Sequence, residues 1–339
     1  MATLARRFAA LTLVVIVIGV GPSARAWSAE PGAEVVTVAP TAAASPAVVR
    51  PNASPADRAA TAAPMDPAPV PRSPLRSLPA ARPGTVPILY YHRVQAPTAA
   101  FGHWSRARQQ AFLAYDVLPT AFAAQLDWLA AHGYTTILPR DLADHWDRGT
   151  PLPPRPVIIS FDDGSRDWVR TVLPMLRQRH MVAEFYLTLS AIARRTISWR
   201  NVRTLAAAGN GIGAHDVHHV QLTRLGHGRA PASAATMWWE VSRARSVIRA
   251  RLGVAPDSMA YVGGGFDATL ERLVQKAGYR TARSIVRGVV QRPGERYALR
   301  VVRIGVHDDV TDVATGAVDP AMPTFAARMR GVSDQRRRH

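Results

Sequence analysis

The sequence contains no cysteine among its 339 residues and only one lysine, Lys276. The absence of cysteine excludes a disulfide framework, a thiolate metal site and a cysteine nucleophile, so any bound metal ion must be held by histidines and carboxylates. The formal net charge of +18 is carried almost entirely by arginine. Arginine binds carboxylate and phosphate groups in a bidentate manner. An anionic cell envelope and a nucleic acid are both conceivable partners, and the charge alone does not choose between them.

Long apolar runs are also scarce, and the clearest one begins the chain. Arg6 and Arg7 precede an apolar stretch at positions 8–20, and a small-x-small pattern follows at 24–26. This order is typical of an export signal, so residues 1–26 are predicted to be a signal peptide. The apolar run is shorter than the ~20 residues that a membrane-spanning helix needs, and an uncleaved N-terminal anchor is the alternative. The mature protein is expected outside the cytoplasm, secreted or associated with the cell envelope.

Aromatic residues are missing from positions 28–83, where 12 of the 27 prolines occur. Such a segment cannot bury enough apolar surface to offset the cost of ordering it, so residues 27–84 are predicted to be a disordered Ala/Pro-rich linker. Residues 85–321 are assigned to one folded domain and residues 322–339 to a basic tail. Nucleic-acid binding by the tail is not expected, because no zinc-finger, RNP-like or helix-turn-helix signature accompanies it. No obligate protein partner is indicated.

Short β-rich runs alternate with helical runs through the folded part, which predicts an α/β fold with a largely parallel sheet. The clearest strand, at 157–161, is rich in β-branched residues and is followed directly by Asp162-Asp163-Gly164. A second run, at 211–214, leads into a histidine cluster, and Ala260-Tyr261 precedes three glycines. Functional groups in barrels of parallel strands gather where the strands end. We therefore expect these segments to converge.

The two segments whose side chains could carry a reaction are the aspartate pair and the histidine cluster. Asp162 and Asp163 repel each other, so something must compensate their charge, unless they form only an Asp-Gly turn with a solvated neighbour. His215 and His219 can reach one metal ion if their segment is helical or tightly turned; a surface histidine cluster is the alternative. Position 216 is aspartate where a zincin-type protease would need glutamate. One carboxylate and two histidines would make a three-ligand zinc site, with the second carboxylate free to act as a base.

In order and spacing, these segments resemble the polysaccharide deacetylases of the NodB-homology group, carbohydrate esterase family 4. Phe161 to Gly164 is similar to the first motif of that family, and His215 and His219 match its His-Ser/Thr-x-x-His motif. Ala260 to Gly264 resembles its Tyr-Pro-Tyr-Gly segment. Leu89 to Arg93 is similar to the Tyr-His opening of the branch that acts on poly-N-acetylglucosamine. The resemblance runs from residue 86 to about residue 306.

The resemblance implies a distorted (β/α) barrel, a divalent metal ion that is usually zinc, and the removal of acetyl groups from N-acetylated sugars. It implies that Asp163, His215 and His219 are the metal ligands and that Asp162 is the general base. In the branch with the Tyr-His opening, that histidine is the acid, which assigns the role to His92. The implied partner is an acetylated polysaccharide substrate.

The sequence also departs from the family pattern. The late Leu-His-Asp motif is not obvious, and His307 is a second candidate acid. Asp216 replaces a serine or threonine but can accept the same backbone hydrogen bond. Gly263 stands where an aromatic residue is usual, and a backbone N–H near it is the expected oxyanion donor. Trp199 lies on the loop side of a predicted strand, where it could stack on a sugar ring.

Three functions are therefore weighed. The leading one is an exported, metal-dependent deacetylase of an N-acetylglucosamine-containing polymer. The second is an O-acetyl esterase that uses the same site on another polysaccharide. The third is a carbohydrate-binding wall protein whose catalysis has decayed through the changes at Val262 and Gly263.

Overall fold

The computed structural model describes residues 84–223, 230–312 and 317–331. The predicted signal peptide, nearly all of the predicted linker and the last eight residues lie outside the described residues. The strands are β1 (Ile88–Tyr91), β2 (Arg93–Val94), β3 (Asp116–Val117), β4 (Thr135–Thr136), β5 (Pro156–Asp163), β6 (Glu184–Leu187), β7 (Gly211–Ala214), β8 (Ser258–Ala260), β9 (Thr281–Arg287), β10 (Leu299–Arg303), β11 (Val310–Asp312) and β12 (Ala317–Val318).

The α-helices in the same ranges are α1 (Arg106–Tyr115), α2 (Pro119–Ala131), α3 (Pro139–Arg148), α4 (Leu173–Gln178), α5 (Leu189–Ala193), α6 (Trp199–Ala207), α7 (Ala234–Leu252), α8 (Ala268–Lys276) and α9 (Pro323–Met329). Short 3₁₀ turns occur at Phe101–His103, Val262–Gly264 and Pro293–Glu295, and a π-helical turn at Trp168–Val172 precedes α4. Within the described ranges, every helix is too short or too polar to cross a membrane.

Seven parallel strands close into a barrel, which confirms the predicted fold class. The order around the ring is β1-β10-β9-β8-β7-β6-β5, and β5 pairs in turn with β1. β4 adds to the start of β5 outside the ring. The helices lie between successive strands, as parallel crossover connections require. With seven strands in the ring, the architecture is a distorted relative of the eight-stranded (β/α) barrel.

Most residues on the seven strands of the ring are buried. All but the last of the eight residues of β5 are buried, as expected for a strand with packing on both faces. Alternate residues face opposite sides. Phe161 and Phe185 stack with centroids 5.2 Å apart in the layer that packs against Trp168 of the π-helical turn. The intervening positions, including Asp162 and Tyr186, face the barrel interior, where both contact Arg283.

The folded part extends beyond the predicted boundary at residue 321. α9 (Pro323–Met329) buries Phe325 and Met329 in the main hydrophobic cluster, and Trp128 packs edge-on against Phe325. Asp309 holds the start of this helix, because its carboxylate accepts hydrogen bonds from the backbone N–H groups of Thr324 and Phe325 at 2.7 Å. The predicted basic tail therefore starts too early, since its first residues belong to the core.

The amino end of the barrel contains a buried acidic residue, Glu184, at the start of β6. Its neighbour in β7 is Gly211, where a Cβ atom would lie 1.7 Å from Oε2 of Glu184. Glycine at this position thus makes room for the carboxyl group. Burial raises the pKa of Glu184 to about 8, against the opposing charge of Arg140.

The raised pKa makes stability depend on pH. The folded protein keeps a proton on Glu184 between about pH 4.5 and pH 8, while the unfolded chain releases it. The free energy of unfolding should therefore fall as the pH rises through this window, by up to about 5 kcal/mol at 1.36 kcal/mol per pKa unit. In Glu184→Gln this fall should be shallower than in wild type, because the contribution of Glu184 is removed, as measured by urea denaturation at several pH values.

The matched control is Glu295→Gln. Hydrogen bonding to Arg300 lowers the pKa of Glu295, so its titration falls below the window and the wild-type slope should persist. Equal slopes in wild type and Glu184→Gln would contradict the raised pKa.

Candidate active site

The carboxyl ends of three strands bring the predicted polar segments to one rim of the barrel. β5 ends at Asp163, β7 ends at Ala214 directly before His215, and β8 ends at Ala260 before the turn Val262–Gly264. Because the strands are parallel and adjacent in the ring, their ends lie on the same side. The expected convergence of these segments follows directly from this arrangement.

Asp163, His215 and His219 form a compact cluster that could hold a metal ion. One ligand atom from each lies within 4.8 Å of the others. Oδ1 of Asp163 is 2.9 Å from Nε2 of His219 and 3.5 Å from Nε2 of His215. This oxygen is buried and has no partner in hydrogen-bond geometry within the described residues. A buried carboxylate oxygen that faces two imidazole nitrogens without a hydrogen bond is the donor arrangement that a cation would satisfy.

The orientation of His215 also suits a ligand. Its Nδ1–H donates a hydrogen bond to the backbone carbonyl of Ala260 at 2.8 Å, and Nε2 then faces the carboxylates. Such a backbone acceptor fixes both the tautomer and the ring orientation of a ligating histidine. Burial lowers the pKa of His215, but the charges of Asp162 and Asp163 outweigh it and raise the pKa to about 9. Asp162 and Asp163 thus stabilise a positive charge at the position of the His215 ring.

The carboxylate of Asp163 is strongly stabilised in its ionised form. Burial alone would raise its pKa, but the imidazoles of His215 and His219 close to the carboxylate, together with the charge of His92, hold the pKa well below its usual range. The backbone of Asp163 has a φ of 82°, in the left-handed region that non-glycine residues rarely adopt. The side chain of Asp163 therefore reaches the cluster because the backbone turns in an unusual conformation at the end of β5.

The buried side chain of Asp216 stabilises the loop of residues 215–220, called here the histidine loop. Its buried carboxylate accepts hydrogen bonds from the backbone N–H groups of His219 at 2.6 Å and Val220 at 3.0 Å. This is the backbone contact expected when aspartate replaces the usual serine or threonine. Asp216 and His219 both have positive φ, of 55° and 60°. Burial raises the pKa of Asp216 to about 6, against the opposing charge of His215.

A second acidic residue, Glu240 of α7, holds the same loop from outside, and the sequence analysis did not identify it. Its buried carboxylate accepts from the backbone N–H groups of Val217 and His218 at 2.9 and 3.1 Å, and pairs with Nδ1 of His218 at 2.7 Å. The signal was available, because an acidic residue on the buried stripe formed by Met237, Val241 and similar residues needs a partner.

Asp162 lies beside the cluster, and Arg283 compensates its charge. Nη2 of Arg283 donates hydrogen bonds to both carboxylate oxygens of Asp162. Arg283 is 1% exposed, and its guanidinium lies between the rings of Tyr90 and Tyr186, at 4.5 and 5.0 Å from their centroids. Oδ2 of Asp162 is also 3.8 Å from Nε2 of His215. Arg283 therefore provides the compensation that two adjacent aspartates require.

His92 follows β1 and reaches the same charged region. Its Nε2 is 3.0 Å from the hydroxyl oxygen of Tyr90, and its backbone carbonyl accepts a hydrogen bond from Nε1 of Trp168 at 3.0 Å. Burial lowers the pKa of His92 to about 4, although the charges of Asp163 and Asp162 act to raise it. The structure thus brings His92 within electrostatic range of the cluster.

The other predicted residues lie apart from the cluster. His307 is exposed in the turn after β10, and no hydrogen bond, ion pair or ring contact joins it to the cluster within the described residues. Trp199, the first residue of α6, is half-buried and packs against both large hydrophobic clusters, with the guanidinium of Arg251 at 5.7 Å from its ring. Stacking of Trp199 on a sugar stays a prediction.

Gly263 occupies a conformation and a space that disfavour other residues. Its φ is 63°, and a Cβ atom would lie 2.3 Å from Nε2 of Gln221. The exposed side chain of Gln221 thus stands over the position where the family pattern has an aromatic ring. The role of the Gly263 N–H as an oxyanion donor stays a prediction. Gln221 could not be identified from the sequence, because nothing local to it indicates this contact.

Part of the barrel is similar to a known family, and its fold is similar to that of solved structures. The family model described as polysaccharide deacetylase matches residues 149–282, which include both aspartates and both histidines. YxkH of Bacillus subtilis strain 168, a polysaccharide deacetylase by name, is 22% identical over 224 residues, covering 66% of this chain and 72% of the relative.

Two solved structures share the fold. The Streptococcus pyogenes deacetylase PplD in complex with acetate has a TM-score of 0.58 at 17% identity, covering 68% of this chain and 97% of that one. A de-N-acetylase from Aggregatibacter actinomycetemcomitans has a TM-score of 0.55 at 20% identity, covering 64% and 94% of the two chains.

The geometry of the cluster predicts that His219 is a ligand of the metal ion. His219→Ala should lose stoichiometric zinc after dialysis, because it removes one of three convergent ligand atoms. The affinity should fall by more than the roughly 10–100-fold that is typical when only a group orienting a ligand is lost. Metal content and zinc titration would measure this.

The neighbouring His218→Ala is the matched control, since its side chain faces Glu240 and is largely exposed. It should retain about one ion per chain. An ion still bound stoichiometrically to His219→Ala would rule out this ligand set.

Proposed function

We propose that this chain is a polysaccharide deacetylase that hydrolyses the N-acetyl groups of an N-acetylglucosamine-containing polymer with a divalent metal ion, outside the cytoplasm. The observation that carries the proposal is the cluster of Asp163, His215 and His219 beside the Asp162–Arg283 pair. It offers three donors for a cation and one carboxylate that is held out of the ligand set.

The donors fit a divalent cation. The buried Oδ1 of Asp163 has no hydrogen-bond partner within the described residues, and the backbone hydrogen bond of His215 leaves its Nε2 free to coordinate. Two imidazole nitrogens and one carboxylate oxygen match the ligand preference of zinc. A bound ion would act there as a Lewis acid that activates water and polarises the acetyl carbonyl.

Asp162 is the proposed general base. Its carboxylate faces the cluster, and Arg283 fixes its position through both oxygens. It would accept the proton of the water that attacks the acetyl carbon. The oxyanion that develops needs a hydrogen-bond donor, for which the backbone N–H of Gly263 is proposed; one such donor typically contributes about 2.7–4 kcal/mol.

His92 is the proposed acid that protonates the departing amine. It lies in the charged interior, within electrostatic range of Asp162 and Asp163, whereas His307 is exposed and makes no contact with the cluster within the described residues. The Tyr90 hydroxyl, 3.0 Å from Nε2, orients the ring. His92 is therefore preferred over His307.

The choice of substrate and location has separate support. One structural neighbour is named a de-N-acetylase, which favours amide over ester hydrolysis. The pattern at residues 1–26 favours export, and the arginine surplus favours an anionic cell envelope over a neutral surface. No nucleic-acid partner is proposed.

Acetate release separates the three functions. We expect acetate from N-acetylglucosamine oligomers in the presence of zinc and none after chelation. Acetate from acetylated xylan alone would instead favour an O-acetyl esterase. Metal binding without acetate from any substrate would favour a decayed carbohydrate-binding protein, for which the loss of an aromatic ring at Gly263 is the motivating observation.

Replacement of the base should separate turnover from metal binding. In Asp162→Asn, turnover should fall by about 10²–10⁴-fold, the usual contribution of general acid–base catalysis. Metal content should stay near one ion per chain, because Asp162 is not a ligand, and this also reports on folding. Substantial remaining activity would show that Asp162 is not the base.

The two candidate acids can be compared directly. His92→Ala should lower kcat by about 10²–10⁴-fold, while His307→Ala should stay near the wild-type value because its side chain is exposed. Both rates should be measured on the same oligomer at saturating zinc. The reverse result would transfer the acid role to His307.

A further inference from the structure

A cavity of about 190 Å³ lies at the amino ends of the barrel strands, opposite the metal-ligand cluster. Glu184, Gly211 and Ser258, the first residues of β6, β7 and β8, line it. None of the residues proposed for deacetylation takes part in it. It is therefore a separate feature of the fold.

Glu184 gives the cavity an unsatisfied buried acid. Glu184 is 5% exposed, and its carboxylate accepts no hydrogen bond from any described residue. Asn210 is the other buried amide or acid of the wall. Its side chain accepts a hydrogen bond from the backbone N–H of Ala183 and donates one to the carbonyl of Leu205. A buried carboxylate without donors costs free energy unless it is protonated or compensated by a cation.

The remaining charges of the wall do not offset the burial of Glu184. Asp257 contributes a second carboxylate, half-buried and without a hydrogen-bond partner within the described residues. Arg140 is the basic residue of the lining, but it is exposed, and the ion pair that it makes is with Asp141 at 3.9 Å. A cation in the cavity would compensate the ionised form of Glu184 and would displace the proton that this acid otherwise keeps up to about pH 8.

The residues that line the cavity favour an organic cation over a metal ion. Within the described residues, the acidic and histidine side chains that converge closely enough for a metal are those of the deacetylase cluster. The wall also has an apolar part, which includes Ile212, Leu252 and Pro256. A site with one buried acid beside an apolar surface matches a ligand with a charged head and an uncharged body.

We propose that this cavity binds a small organic molecule through a primary ammonium group, which pairs with Glu184 and has Asp257 as a second acceptor. The ammonium could belong to an alkylamine or to an amino sugar, which share this chemistry. The inference does not depend on the proposed deacetylase function, because it uses the opposite end of the barrel.

The test compares charged and neutral probes on the full chain by calorimetry. Butylammonium and glucosamine are the charged probes, and butanol is the uncharged counterpart of the first. We expect at least one ammonium probe to bind and butanol not to bind. The tighter of the two ammonium probes identifies the source of the ligand.

Variants locate the binding. Glu184→Gln keeps the shape of the side chain and should weaken ammonium binding about tenfold or more, as for a lost charged hydrogen bond. Asp257→Asn, at a half-buried position, should weaken it several-fold and serves as the second variant if Glu184→Gln folds poorly. Glu295→Gln, outside the cavity lining, should bind as wild type does.

Three results would overturn the proposal. These are no binding of either ammonium probe, equal binding of butanol and butylammonium, and ammonium binding that is unchanged in both Glu184→Gln and Asp257→Asn. The last result would place the ammonium elsewhere on the protein. The binding measurements do not depend on catalysis, so a failure to detect deacetylase activity in a separate assay would not change how they are interpreted.

Discussion

The ion pair between Arg283 and Asp162 is the interaction on which the rest of the site depends. Arg283 is almost fully buried, with Tyr90 and Tyr186 on its two faces, and both oxygens of Asp162 accept from it. Removing one partner of a buried ion pair leaves an uncompensated charge, which is strongly destabilising. The pair lets two aspartates lie side by side, so that Asp163 can face the histidines while Asp162 keeps a different role.

The histidine loop shows a second use of buried acids. Asp216 and Glu240 together accept hydrogen bonds from four consecutive backbone N–H groups, those of residues 217 to 220. The carboxylates thus replace the regular hydrogen bonds that a helix would give this segment. They also add negative charge near the proposed cation without joining its ligand set. Positioning and electrostatics are therefore supplied by the same side chains.

Much of the site could be predicted from short-range patterns, whereas its support could not. The strand that ends at Asp163 and the spacing of His215 and His219 are local signals, and the fold class followed from the alternation of strands and helices. Arg283 lies 121 residues from Asp162 in the chain, so only the closed ring brings them together. The early end assigned to the domain had another cause: the composition of the last residues is basic, and it masked the apolar face of α9.

The closure of the ring has a consequence for how the chain folds. β10 pairs with β1 through Leu89 and Val302, residues more than two hundred positions apart. Until residues 299–303 are available, β1 and β9 are the two open edges of an incomplete sheet, with unpaired backbone groups that can join another chain. Such long-range pairing is slow to form. Closure of the ring by β10 is therefore expected to be slow, and the two open edges are where association with another chain is expected before it.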